Sequence, residues 1–493
     1  MLKRTFIFLH RWLGVGLCLV FLVWFLSAIG MMYWEFPQVT DADRLARLPP
    51  LQPTAIRLSP VEAFARSGLA SPPTAIRLAS FDGRPLYRFQ TRDGELAVYA
   101  DTGEDQIEVP PDMRDRIAAA WAGRPMAEAR AAPLVEVDQW TVQGQFQREG
   151  PLWKYSWPDG QQVYVSEATG EVVQYTTTAS RIGAYLGPIP HWLYFTPLRK
   201  RGPRWSAVVI WSSALGTLTA ILGLVIGFWM YSPSKRYRRE GAPTAIPYRG
   251  MKRWHTVVGL VFGAGAVTWA FSGLLSMEPF PAARGAGRPD AGDARGRLAR
   301  LLRGPLDLRQ FEAKPPRQAL VELGAPVKQL ELVVVAGEPA YLATLGGGDT
   351  RVVPTDGPPQ AAFDSDRLMA ALAGAVGASG GADLRVVDRY DRYYLDRRGR
   401  LPLPVILVAA RDGDRARYYI DPKTARIVGA YSSRRWVTRW LYHGLHSLDF
   451  PWLYAHRPLW DIVVIAWMLG GAALSVTSLV LAWRVISRRL AAD

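Results

Sequence analysis

Four stretches of this chain are so long and apolar that lipid, not water, must be their solvent. They run over Phe6–Tyr33, Ala207–Tyr231, Thr256–Met277 and Ile462–Trp483, and about 20 such residues suffice to cross a bilayer. Inside lipid every backbone polar group must be satisfied within the segment, so each run predicts a helix. The spans are expected within 1–34, 205–231, 255–277 and 459–484. Between them lie two soluble-looking segments, 35–204 and 278–458, a loop at 232–254 and a tail at 485–493. The first run is longer than a signal-peptide core and lacks a small-residue cleavage site, so it reads as a retained anchor.

Positive charge orients the spans. Lys3 and Arg4 precede the first. Lys235, Arg236, Arg238, Arg239, Arg249, Lys252 and Arg253 crowd the loop against Glu240 alone, and Arg484, Arg488 and Arg489 follow the last span. Both termini and the loop are therefore expected on the cytoplasmic side, with the two long segments outside. The net charge of +16 then needs no nucleic acid to explain it. The one cysteine, Cys18, lies in the first span. The outer segments can hold no disulfide, and the chain has no C-x-x-C-H for covalent haem.

The chain repeats itself. His10/His255, Gly14/Gly259, Trp24/Trp269 and Ser27/Ser272 each lie 245 positions apart, while His191/His446, Phe195/Phe450, Trp205/Trp460 and Gly216/Gly471 lie 255 apart. Outside the spans, "VYVSEATGEVV" (163–173) lies over "YYIDPKTARIV" (418–428), and "PLYRFQ" (85–90) over "PAYLAT" (339–344). These read as strand–turn–strand units. Two copies of one unit, each with two spans, share an orientation and predict a pseudo-twofold axis along the membrane normal.

The six histidines are His10, His191, His255, His443, His446 and His456. The repeat pairs His10 with His255 at the inner ends of the spans, and His191 with His446 at the outer ends. Opposed neutral imidazoles suit the axial positions of a haem iron. Gly14 and Gly259, one turn from their histidines, leave room for a flat macrocycle. Two non-covalent b-type haems are thus expected. Arg4, Arg11, Lys252 and Arg253 inside, and Arg199, Arg204, Arg435 and Arg439 outside, are candidate propionate partners. His443 and His446 share a face if "YHGLHSLDF" is helical, so either suits the outer iron, although Pro188 stands opposite His443 in the repeat. The same imidazoles also suit a metal or proton-relay site, and single histidines at helix ends are commonly interfacial.

"LHRWLG", its echo "RWHTVVG", "YHGLHSL" and "DPKTARIV" resemble the PepSY-associated transmembrane proteins of bacterial inner membranes. That resemblance implies a four-span integral membrane protein with two periplasmic α+β PepSY-like domains; each outer segment is longer than a single such unit and reads as two small ones. It also implies a dihaem reductase that reduces ferric siderophores in the periplasm, with His10, His255, His191 and His446 as haem ligands. The cytoplasmic parts are too short for a nucleotide- or flavin-binding domain. Electrons would therefore arrive from a quinol or from a separate reductase on the basic inner face.

Arg434, Arg435 and Arg439 could draw an acidic chelate or simply anchor at the membrane surface. "DRYDRYYLDRRGR" (388–400) reads as a solvated strand–turn, with a docking face as the alternative. A haem-free scaffold or sensor displaying two binding domains is the second functional reading. A transporter is the third, disfavoured by only four helices and by spans without buried acids.

Overall fold

The computed structural model describes every residue except 67, 69–70, 240, 280–293, 378–380, 412 and 492–493. Glu240 and the side chains of Arg239 and Arg434 lie outside the described residues. Among the described residues, four helices are long and apolar enough to cross a membrane: α1 (Leu2–Tyr33), α2 (Gly202–Met230), α3 (Gly250–Leu275) and α4 (Leu459–Leu490). All four run past the apolar cores. Helix α3 begins at Gly250 rather than 255, and α4 absorbs most of the tail expected from 485. Lys and Arg are good helix formers whose stems lie along apolar surface, so the charged ends prolong the helices.

The helices form a ring in which α1 packs on α2 and α4, and α3 packs on the same two. Helices α1 and α3 therefore lie diagonally opposite. Small residues let aromatic rings in between helices: Gly471 of α4 faces the ring of Phe25, and Gly216 of α2 faces that of Phe21. Such contacts matter because lipid offers no hydrophobic drive for helices to associate. The spans were expected to lack buried acids, but Asp461, in the first turn of α4, is buried. It is paired with Arg457 one turn earlier, which is how a carboxylate is tolerated there.

Among the described residues, the α+β regions carry fourteen strands in three antiparallel sheets. One four-stranded sheet is β4 (Arg130–Pro133), β5 (Leu152–Ser156), β6 (Gln162–Ser166) and β7 (Val172–Thr176). A short hairpin of β8 (Tyr237–Arg239) and β9 (Ala242–Thr244) closes the loop between α2 and α3. The second four-stranded sheet is β13 (Ala382–Val387), β14 (Val405–Ala410), β15 (Arg417–Asp421) and β16 (Arg426–Tyr431). The strand–turn–strand units expected at 163–173 and 418–428 are β6–β7 and β15–β16. Each pair has a register shift, at Tyr164/Val165 and Tyr419/Ile420.

The front halves of the two long segments are not separate. β1 (Ala75–Phe81), β2 (Arg84–Gln90) and β3 (Glu95–Tyr99) join β10 (Val327–Val335), β11 (Glu338–Leu345) and β12 (Thr350–Pro354) in one six-stranded sheet. The seam is β1 against β10, with Ile76 opposite Leu332 and Leu78 opposite Leu330. Beneath it one core takes Ile76, Leu78, Tyr87 and Phe89 from the first segment and Phe311, Leu330, Leu332 and Tyr341 from the second. Removing a fully buried leucine from such a core costs about 2–5 kcal/mol. Leu330→Ala should therefore loosen both front halves together. Limited proteolysis of the full-length protein checks this, with new cuts expected in 50–100 and in 305–355.

Candidate functional site

Two pairs of histidines face each other across the ring, one near each end. His10 on α1 and His255 on α3 have ring centroids 6.1 Å apart. His191 and His446 have centroids 6.0 Å apart. Ser27, beside His191, lies seventeen residues along α1 from His10, or about 25 Å at about 1.5 Å per residue. The two pairs thus sit near opposite faces of a bilayer.

The outer histidines ride on short, irregular pieces between the spans and the sheets. His191 ends a short helix, Pro188–Trp192. The preceding Gly187 packs backbone to backbone on Gly30 of α1, where an added Cβ would stand 2.8 Å from the Gly30 carbonyl carbon. His446 follows a wide π-helical segment, Val437–Gly444, a form often found at functional sites. The Trp269 indole N–H of α3 holds that segment through the His446 carbonyl at 2.7 Å.

Each ring is fixed through Nδ1. His10 Nδ1 lies 3.0 Å from the Thr219 carbonyl of α2, so it must carry the proton. The other three face hydroxyls whose own hydrogens are already committed. Ser27 donates to the Trp24 carbonyl and lies 3.3 Å from His191 Nδ1. Ser272 donates to the Trp269 carbonyl and lies 3.0 Å from His446 Nδ1. Thr477 donates to the Leu474 carbonyl and lies 3.1 Å from His255 Nδ1. An oxygen so engaged accepts from Nδ1–H, the tautomer that leaves the Nε2 lone pair free; for His191 the Trp24 carbonyl, 3.3 Å from Nδ1, can only accept. Burial also holds the outer rings neutral: the pKa of His191 falls to about 4 and that of His446 to about 3.

The spacing tests what the pairs can hold. A metal bonded at about 2 Å to two opposed ring nitrogens, each about 1.1 Å from its ring centre, sets centroids roughly 6 Å apart. Two ligands are too few for a bare ion, which takes four or more. Among the described residues no group of three or more His, Cys, Asp or Glu is placed to hold one. Two imidazoles suffice where a macrocycle brings its own four nitrogens. The outer pair also opens on a cavity of about 700 Å³, within the range of ligand pockets. Trp24, Trp269, Trp460 and Met468 line it. Trp24 Nε1 is buried there without a hydrogen-bond partner. Beside the inner pair, a Cβ at Gly14 would touch nothing within 4 Å, and one at Gly259 would meet only a Leu474 methyl at 3.5 Å. The residues fit a haem at both places.

The structure brings together His10 with His255 and His191 with His446, and sets His443 apart. His443 is half-exposed, 3.6 Å from the Asp449 carboxylate. Burial pushes its pKa down and that of Asp449 up, against their mutual attraction. His456 is exposed, its Nδ1 donating to the Trp452 carbonyl.

The arginines differ from expectation. Arg439 donates to the Arg392 and Asp449 carbonyls, Arg199 lies over Tyr194 and Trp205, and neither lines the cavity. Arg397 and Arg398 line it instead, with Leu395 and Asp396. They come from the stretch read as a solvated strand–turn. That stretch is partly interior: Tyr394 is 1% exposed and stacks on Tyr419. Its dense charge concealed this, and the aromatic residues interleaved with the charges were the available signal. Gly223 was also missed; a Cβ there would stand 2.7 Å from His10 Cε1, so α2 is bare where the ring lies across it.

A family model described as the PepSY-associated TM region matches residues 7–327, a stretch that takes in α1 to α3. No curated protein matches the chain. The tight Gly30–Gly187 contact makes a direct prediction. Gly187→Ala should push the His191 helix off α1 and cost about 1–3 kcal/mol, as overpacking does, seen as a lower thermal midpoint of the detergent-solubilised protein.

Proposed function

The chain belongs to the PepSY-associated transmembrane family, and from that premise we propose that it is a dihaem electron-transfer protein. It holds one b-type haem between His10 and His255 and another between His191 and His446. The observation that carries this reading is the shared arrangement of the four imidazoles, each with Nδ1 engaged and each pair with ring centroids about 6 Å apart. Haem bound there supplies a reversible one-electron couple, its potential tuned by ligation, burial and nearby charge. The chain's own part is to bind, orient and shield. Ser27, Ser272, Thr477 and the Thr219 carbonyl fix the ring planes, and the apolar walls of the bundle exclude water.

By the positive-inside rule the basic loop and termini lie in the cytoplasm and the sheets in the periplasm of a bacterial inner membrane. A quinol or a separate reductase gives electrons at the inner pair. The acceptor approaches the outer pair beneath the sheets, and the family resemblance favours a ferric chelate such as a siderophore. Reduction to Fe(II) weakens its hold by hard oxygen ligands and releases the iron.

An absorption spectrum of the purified protein, oxidised and dithionite-reduced, with haem counted by pyridine extraction, tests this. About two haems per chain are expected, falling to about one in His10→Ala or His446→Ala and unchanged in His443→Ala. A colourless protein from haem-replete cells would overturn the reading and favour a haem-free scaffold. The oriented tautomer has its own test. Ser272→Ala should weaken outer haem retention by about 10–100-fold, as loss of such supporting groups does, with the inner haem unaffected in the same titration.

A further inference from the structure

We propose that the loop of residues 395–398 is a carboxylate-binding seat over the outer histidine pair, with Arg397 and Arg398 as its cations. Both arginines line the cavity that His191 and His446 share. The Arg397 guanidinium lies 4.9 Å above the ring of Trp460. Trp460 is 1% exposed, and its indole N–H donates to the Ser447 carbonyl at 3.0 Å, next to His446. The platform under the cation is therefore rigid and tied to the histidine.

The acids around the cavity are otherwise engaged. Asp396 turns into its own loop and accepts from the backbone N–H groups of Arg398, Arg400 and Leu401. Asp449 accepts from the Tyr454 hydroxyl and is faced by His443. Glu35, at the outer end of α1, pairs with Arg398 and Arg400. Arg397 makes no direct ion pair among the described residues; the Asp449 carboxylate on the same cavity wall acts on it only through space. A half-buried guanidinium with no carboxylate bonded to it carries a standing desolvation cost. A carboxylate can relieve it through two parallel hydrogen bonds, the geometry in which arginine excels. Arg398 lies next to it in sequence, on the same cavity wall. It can share the load because its Glu35 partner is half-exposed and competes with any anion entering the cavity.

The ligand chemistry is thus a carboxylate, from one of two sources: a propionate of the outer haem or a carboxylate of the acceptor. This deepens the dihaem reading and rests on it, and the experiment separates the two. Full-length wild type, Arg397→Gln, Arg397→Lys and Arg398→Gln are compared for haem per chain and outer midpoint potential. Citrate binding is followed in parallel by the fluorescence of Trp460 and its neighbours. If the seat holds a propionate, Arg397→Gln weakens outer haem retention by about 10–100-fold. Wild type reconstituted with haem dimethyl ester should then behave like that variant.

If the seat holds the acceptor, haem content stays at wild type. Citrate then binds wild type and is weakened by about 10–100-fold in Arg397→Gln, with partial recovery in Arg397→Lys. A haem-free protein whose citrate binding still depends on Arg397 would sink the dihaem reading and keep the seat. Wild-type haem retention and potential in both glutamine variants, with citrate binding absent or unchanged, would overturn the seat.

Discussion

The interaction on which the rest depends is the hydrogen bond at Nδ1 of each paired histidine. It is a small contact, yet it settles three things at once: which nitrogen carries the proton, which way the ring faces, and which helix must stand beside it. His10 needs the Thr219 carbonyl of α2, and His255 needs Thr477 of α4. His191 needs Ser27 of α1, and His446 needs Ser272 of α3. Each bond crosses from one element of the bundle to another, so the four helices must keep their registers for any pair to form. The bare positions at Gly223, Gly30 and Gly187 follow from the same demand, because the ring or the backbone must come closer than a Cβ allows.

The ring arrangement makes the pairs possible. With α1 and α3 across the diagonal, His10 and His255 face each other with ring centroids 6.1 Å apart. The β1–β10 seam joins the front halves of the two long segments, and Glu35 from the first and Leu395–Arg398 from the second wall the same cavity.

Much of this was legible in the sequence. Hydropathy located all four helices because lipid tolerates few alternatives. Constant offsets singled out His10, His255, His191 and His446, and the same offsets matched Ser27 with Ser272. What stayed hidden was hidden for physical reasons. Thr219 acts through its backbone carbonyl, a group every residue owns, so no side chain announced it. The pairing of β1 with β10 joins strands some 250 residues apart, and both read locally as ordinary half-buried strands. The π-helical turn before His446 leaves no periodic trace in eight residues. The spans read as free of buried acids, and only the fold shows Asp461 buried against Arg457. Arg397 and Arg398 were masked by company: a stretch with so many charges reads as solvated, and nothing local marks which charges turn inward.

The two ends of the bundle are built from different material, and this bears on the direction of any traffic. His10 and His255 sit on the spanning helices themselves, about two turns and about one and a half turns inside their ends. His191 and His446 sit on short pieces that follow the sheets and precede the spans, with charged loop residues sharing their cavity. Matching positions are also used unequally: Trp269 donates its indole N–H to the His446 carbonyl, whereas Trp24 Nε1 is buried and idle. A site on straight spans, walled by apolar side chains, suits exchange with something dissolved in the membrane or docked at its surface. A site on interfacial pieces, with rigid aromatics below and arginines above, suits a water-borne anion. The asymmetry therefore lies in what each pair can be approached by, while the four paired imidazoles are held alike through Nδ1.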